Sequence, residues 1–286
     1  MLIIDPVSNT VDTTSIAGLV GDSKWLGGVL AGNGMIYGMP DYATSVLIID
    51  PNTNTADTTT IAGLSRGGAK RLWSGGVLAG NGKIYGIPTY SRAVLIIDPN
   101  SNTADTTTIA GFDNTVSKWL GGVLAGNGKI YCVPGSATSV LIIDPVTDTA
   151  DNTTITGLPG SSKWQGGVLA NNGKIYGVPA AATKLLIIDP TSNTVDTPTI
   201  SRWRGGVPGW MGGVLAGNGL IYGIPSHAES VLIIDPTTSS VDMTSLAVNN
   251  TGGMWEYGVL ASNGKVYGMP FTSESVLVIR RDCGAL

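Results

Sequence analysis

The sequence predicts an all-β chain, a six-bladed β-propeller with four antiparallel strands in each blade, on three observations. The phrase Ile-Ile-Asp-Pro occurs six times, with its aspartate at Asp5, Asp50, Asp98, Asp144, Asp189 and Asp235. Successive copies lie 45, 48, 46, 45 and 46 residues apart. A second phrase, Gly-Gly-Val-Leu-Ala followed by a glycine-containing turn and Ile-Tyr-Gly, keeps the same period through six copies with small variations. A period of about 40–50 residues built from short strands is the length of one propeller blade.

The unit from Trp73 to Ile109 shows the four strands in order. Gly76 to Ala79 is a short apolar strand, A, and Gly80-Asn81-Gly82 supplies residues that tolerate positive φ for a hairpin. Lys83 to Pro88 is strand B, ended by its proline. A variable stretch, Thr89 to Arg92, leads into strand C, Ala93 to Asp98. Pro99-Asn100-Ser101-Asn102 makes the next turn, and Thr103 to Ile109 is strand D. Strands A and C are nearly continuous apolar runs, as in sheets covered on both faces. Strand D is polar and β-branched, which suits an outer edge facing water.

Six A, six B and six D segments stand against seven C-like ones, from Leu2-Ile3-Ile4 to Val276-Leu277-Val278-Ile279. The expected closure therefore has N- and C-terminal strands sharing one blade, with Val11 to Ile16 adding to the C-terminal A, B and C strands. Leu2 to Ile4 has no assigned place in that count.

One closed domain over residues 1–286 is expected, because the repeat runs from end to end. Charged residues are only 13%, against 42% apolar residues and 41 glycines, a balance that suits sheets joined by tight turns. The net charge of −4, with no basic stripe, argues against a nucleic-acid partner. No apolar run approaches the roughly 18 residues of a membrane span. Met1 leads straight into Leu2-Ile3-Ile4, so no signal peptide is read. Cys132 and Cys283 occupy different repeat positions and are expected as free thiols. A monomer with no cofactor is the expected state.

These residues resemble the YVTN-type β-propeller repeat of surface-layer and cell-surface proteins. Leu95-Ile96-Ile97-Asp98 through Asn102-Thr103 is similar to that family's Val-x-Val-Ile-Asp-x-x-Thr-Asn-Thr-Val segment. Gly76-Val77-Leu78-Ala79 through Gly82-Lys83-Ile84-Tyr85 is similar to its Gly-Val-Ala-Val-x-x-Asp-Gly-x-x-x-Tyr-Val-Thr-Asn segment. The likeness extends over all six units. It departs in placing Gly-Ile-Pro where the family has Val-Thr-Asn, and in a longer D–A loop. The resemblance implies a propeller and an extracellular or cell-surface location. It leaves activity open, since propellers serve as lectins, enzymes and scaffolds alike.

The six copies also differ from one another in a patterned way. The A–B and C–D turns are nearly constant, while the B–C and D–A loops at the opposite end vary. The B–C loops read Asp41-Tyr42, Thr89-Tyr90, Gly135-Ser136, Ala180-Ala181, Ser226-His227 and Phe271-Thr272. The D–A loops include a basic insertion, Arg66 to Arg71, and an aromatic one, Ser201 to Trp210. Binding chemistry usually sits on variable loops of a rigid scaffold, although drift in loops gives the same pattern.

Trp25, Trp73, Trp119, Trp164, Trp210 and Trp255 recur once per blade, three residues before the glycine that opens strand A. A ring of exposed indoles would stack on sugar faces, methylated cations or peptide side chains. The alternative is packing between neighbouring blades, with each indole N–H on a loop carbonyl. Trp203 falls outside the pattern and is the expected exposed one. With Tyr42, Tyr90 and His227, the seven tryptophans make up the candidate ligand-binding set. The repeated aspartates, such as Asp50 with Asp57, fit turns that bond their own backbone better than a calcium site.

Catalytic residues are scarce. His227 is the only histidine, and Glu229, Glu256 and Glu274 are the only glutamates. No nucleophile elbow, phosphate loop or dinucleotide fingerprint is present. The favoured reading is a non-catalytic binding scaffold whose partner is a glycan or a protein. A hydrolase or lyase at the mouth of the central channel, using His227 and the glutamates, is the alternative, and a purely structural repeat is the third.

Overall fold

The computed structural model describes residues 1–65, 71–201, 203–249 and 252–280. Cys283, Arg202 and all of the basic insertion except Arg71 lie outside the described residues. Within them there are 25 strands and no helix, and every described pairing is antiparallel. A hairpin of β1 (Ile3–Asp5) and β2 (Thr10–Asp12) comes first. The first blade is β3 (Trp25–Leu30), β4 (Ile36–Pro40), β5 (Leu47–Asp50) and β6 (Thr55–Asp57). The second is β7 (Trp73–Leu78), β8 (Ile84–Pro88), β9 (Leu95–Asp98) and β10 (Thr103–Asp105). The third is β11 (Trp119–Leu124), β12 (Ile130–Pro134), β13 (Leu141–Asp144) and β14 (Thr149–Asp151). The fourth is β15 (Trp164–Leu169), β16 (Ile175–Pro179), β17 (Leu186–Asp189) and β18 (Thr194–Asp196). The fifth is β19 (Trp210–Leu215), β20 (Ile221–Pro225), β21 (Leu232–Asp235) and β22 (Ser240–Asp242). The sixth has three strands, β23 (Trp255–Leu260), β24 (Val266–Pro270) and β25 (Leu277–Ile279).

Two boundaries differ from the sequence reading for local reasons. Strand A begins three residues earlier, at the tryptophan, because a bulge between Trp73 and Gly76 lets Trp73 pair with Pro88. Gly75 takes φ +73° in that bulge, as do its equivalents in the other blades, except that Tyr257 holds the position in the sixth. Strand D ends at Asp105 instead of Ile109. The Asp105 carboxylate accepts the Thr107 amide at 2.6 Å and the Thr107 hydroxyl at 2.7 Å, which turns the chain out of the sheet. At the chain start, Thr10–Asp12 pairs with Ile3–Asp5, the segment that strand counting left without a place.

The chain divides into two compact units. One comprises Met1–Leu124, Gly128–Cys132 and Ser136–Leu158; the other comprises Ala125–Asn127, Val133–Gly135 and Pro159–Leu286. In the first unit, Tyr37, Met39, Trp73, Ile84 and Leu95 form one core cluster joining the first two blades. Tyr85, Ile87, Trp119, Ile130 and Cys132 form the next. In the second unit, Tyr176, Val178, Trp210, Ile221 and Leu232 repeat the arrangement, as do Tyr222, Ile224, Trp255 and Val266. Within each unit, strand B of one blade thus faces the tryptophan of the next. The glycine closing the bulge makes this approach possible: a Cβ on Gly122 would lie 2.7 Å from Ile87 Cδ1.

The constant turns lock neighbouring blades together. Asn33 Nδ2 donates to Pro99 O at 3.0 Å, in the next C–D turn, and to the Tyr37 hydroxyl. Tyr37 donates in turn to Asn102 Oδ1 at 2.6 Å. The same asparagine reaches Pro145 O from Asn81, Pro190 O from Asn127 and Pro236 O from Asn172. Uniform turns therefore do a uniform structural job, and the opposite loops are left free to vary.

Candidate functional site

Each repeat tryptophan donates its indole N–H to the carbonyl twenty residues on. The acceptors are Ser45, Ala93, Ser139, Lys184, Ser230 and Ser275, at 2.7–2.8 Å. Trp73, Trp119, Trp164, Trp210 and Trp255 are buried, and Trp25 is half-buried. The indoles act as pegs that hold the B–C loops in place, which is the packing alternative stated above. A buried indole offers no free face to a ligand.

Lysines before three of these tryptophans are pegs as well. Lys118 Nζ donates to the carbonyls of Ser91 at 3.0 Å and Asp113 at 2.6 Å. Lys163 Nζ donates to those of Gly135 at 2.9 Å and Gly160 at 3.0 Å, and stands 5.6 Å from the centre of the Trp164 ring. Burial pushes both ammonium groups down to about 8. Lys24 reaches Val20 O and lies 4.8 Å over Trp25.

With the loops held this way, two clefts open at the same place in two repeats. In the fifth blade, a cleft of about 380 Å³ is lined by Trp203, Val207, His227, Glu229, Met243 and Thr244, among others. Trp203 leans on Trp210 with ring centroids 4.6 Å apart and donates its indole N–H to Ala182 O at 3.0 Å. A Cβ on Gly209 would come within 2.5 Å of the Trp203 ring, so that glycine is what lets the indole lie over the loop. Trp203 stays half-buried, while His227 and Glu229 are exposed. Ser226 Oγ and His227 Nδ1 are 3.2 Å apart.

In the second blade, a cleft of about 200 Å³ is lined by Trp73, Tyr90, Arg92, Thr106, Asn114 and Ser65, among others. Tyr42 lines neither cleft. It sits beside Asp41, which is buried and paired with Arg71 at 2.9 Å. Burial raises the Asp41 carboxyl and the Arg71 guanidinium opposes that rise. Glu256 lies in β23 and Glu274 in the loop before β25, and neither lines the cleft that holds His227 and Glu229.

Of the candidate set, then, Trp203, Trp210 and His227 meet in one cleft and Trp73 and Tyr90 in the other. Arg92, Asn114 and Met243 were not singled out from sequence. A signal was available for Arg92, because aligned repeats place a positive charge there where three other copies carry threonine. The repeated aspartates are engaged locally: Asp50 Oδ1 accepts the Asn52 amide at 2.8 Å, and Asp57 Oδ1 the Thr59 amide at 2.6 Å.

The blades, their strand order and their packing define an all-β propeller, and fold comparison agrees. The chain is similar to a catalytically inactive variant of virginiamycin B lyase from Staphylococcus aureus solved with quinupristin. That likeness has a TM-score of 0.74 and 10% identity over 92% of this chain and 84% of that one. It is also similar to the extracellular domain of BT4673 from B. thetaiotaomicron, with a TM-score of 0.64 and 11% identity over 89% of this chain and 34% of that one. A third likeness is to an auxiliary nutrient binding protein from Bacteroides ovatus, with a TM-score of 0.58 and 13% identity over 86% and 66% of the two chains. No family model matches the chain, and no curated protein matches its sequence. Identities this low establish the six-bladed propeller scaffold and nothing finer.

Proposed function

We propose that this protein is a non-catalytic binding scaffold whose ligand contacts lie on the B–C and D–A loops, centred on the fifth-blade cleft. The observation that carries this reading is the meeting of Trp203, His227 and Glu229 in one open cleft, over a buried Trp210. A half-exposed indole offers a stacking face, and His227 and Glu229 supply a donor and an acceptor beside it. That combination fits a sugar ring or a peptide side chain. Two fold neighbours, an extracellular domain and a nutrient binding protein, support a binding role. The YVTN-like phrases point to a location outside the cell, and we read residues 1–286 as one monomeric domain.

Array screening of glycans and peptides tests the proposal, with wild type compared to Trp203→Ala and Glu229→Gln. Signals that disappear in Trp203→Ala support it. Signals unchanged in both variants would place binding elsewhere, and no signal at all would favour a purely structural repeat. A second reading, elimination or hydrolysis in the same cleft, draws on His227 and Glu229 lining it together. Turnover of a bound ligand that is lost in His227→Ala would select it.

A further inference from the structure

In the first five blades the fifth residue of the B–C segment, counting the proline that ends strand B as the first, has one shared structural task. Its carbonyl accepts a backbone amide from the chain leaving strand D. Thr44 O accepts Leu64 N, Arg92 O accepts Gly111 N, Thr138 O accepts Leu158 N, Thr183 O accepts Ile200 N, and Glu229 O accepts Val248 N, all at 2.8–3.0 Å. The backbone performs that task, so the fold places no demand on the side chain. Threonine fills the position in the first, third and fourth blades, arginine in the second, and glutamate in the fifth and sixth. Two residues earlier, the copies read Tyr42, Tyr90, Ser136, Ala181, His227 and Thr272. Only the second and fifth blades combine an aromatic or imidazole ring with a charge, and these are the blades in which the two clefts described above open.

We infer that the second-blade cleft is a separate binding site for a carboxylate-bearing ligand of monosaccharide size. Four ion pairs occur among the described residues, and Arg92 is in none of them. Its guanidinium donates only to the neutral side-chain oxygen of Asn114, at 3.2 Å. The nearby Asp113 carboxylate is occupied by the Thr115 amide and hydroxyl, each at 3.1 Å. Behind the cleft, the Lys118 ammonium rests on the carbonyl of Ser91, which also lines it, so a second positive charge backs the site.

A planar guanidinium with free donors pairs best with a planar carboxylate. The half-buried Tyr90 ring provides a face for a sugar, and the hydroxyls of Ser65 and Thr106 with the Asn114 amide ring the opening. A volume of about 200 Å³ matches one sugar ring. The fifth-blade cleft has the opposite charge, Glu229 standing where the second blade has Arg92, so the two sites select different ligands.

Titration calorimetry on the full chain with glucuronate, glucose and acetate tests this. Arg92→Thr is the informative variant because threonine is the repeat's own residue there, and its melting temperature is expected to match wild type. Glucuronate should bind, with glucose and acetate each weaker by about tenfold or more, and Arg92→Thr should lower glucuronate affinity by a similar factor. Glu229→Gln should leave glucuronate binding unchanged, which separates this site from the fifth-blade cleft. Absence of glucuronate binding, equal binding of glucose, equal binding of acetate, or an unaffected Arg92→Thr variant would each overturn the assignment.

Discussion

Trp119 and Trp203 place the same side chain in opposite situations. Trp119 is 2% exposed, pinned by its hydrogen bond to Ser139 and edged by Phe112 at 5.3 Å. Trp203 lies half-buried over a loop. Replacing Trp119 by alanine removes a packed ring and leaves a cavity, so Trp119→Ala should cost about 3–5 kcal/mol in denaturant unfolding, and Trp203→Ala clearly less. Equal losses would mean that Trp203 is also a structural peg. Ser74 makes the contrary case. It is buried, and its hydroxyl has no hydrogen-bond partner among the described residues. Removing an unsatisfied hydroxyl relieves a desolvation penalty, so Ser74→Ala should be neutral or raise the melting temperature. A lower melting temperature would show that the hydroxyl is paired in solution.

At the scale of elements, the repeat works through glycines that admit a neighbour. Gly122 sits 2.7 Å, by its would-be Cβ, from Ile87, whereas Gly126 in the adjacent turn faces open space. Gly122→Ala should destabilise by about 1–3 kcal/mol and Gly126→Ala should have little effect, measured by thermal melts of both. The inverse order would refute close strand-to-strand approach as the role of that glycine. Most of the strand plan was legible in the sequence, because alternating apolar phrases and Asn-Gly turns follow directly from strand and hairpin geometry. The early start of strand A and the early end of strand D were not. The first depends on a bulge stabilised by packing the tryptophan, and the second on Asp105 preferring its own backbone to the ladder.

For the whole molecule, charge sets two pH windows. Asp57, Asp105, Asp151 and Asp242 are held at about 2 by neighbouring hydroxyls and backbone amides. Their folded values lie below the ordinary carboxylate value, so the stability they contribute is present above about pH 4 and is lost as pH falls toward 2. Lys118 and Lys163 give a second window with the same sign, although its cause is burial of the charged form instead of its stabilisation. Their folded values of about 8 lie below the ordinary lysine value, so the native state sheds protons first and stability should rise between about pH 8 and 10.5. Melting temperatures across pH 2–11, repeated with Lys118→Met, check both windows; a flat alkaline limb in wild type would contradict the second. If residues 1–286 form one domain, as proposed, calorimetry should give one cooperative transition whose calorimetric and van't Hoff enthalpies agree. Two resolved peaks would divide it.

The sequence alone determined the periodic things: the blade length, the strand order, the constant turns and the tryptophan in every copy. Periodicity records backbone requirements that each blade must meet separately, so a single chain displays them six times. Tertiary structure decided which copies of a variable loop become a site. Tyr90 is the same residue as its counterpart Tyr42, which lines neither cleft, and nothing in the local sequence opens a cleft beside Tyr90 or His227. The tryptophan pegs hold the loop in every blade alike, and in the fifth blade Trp203, bonded to Ala182 O and lying against Trp210, adds a wall to the cleft. Such contacts join distant parts of the chain, and a one-dimensional pattern does not carry them.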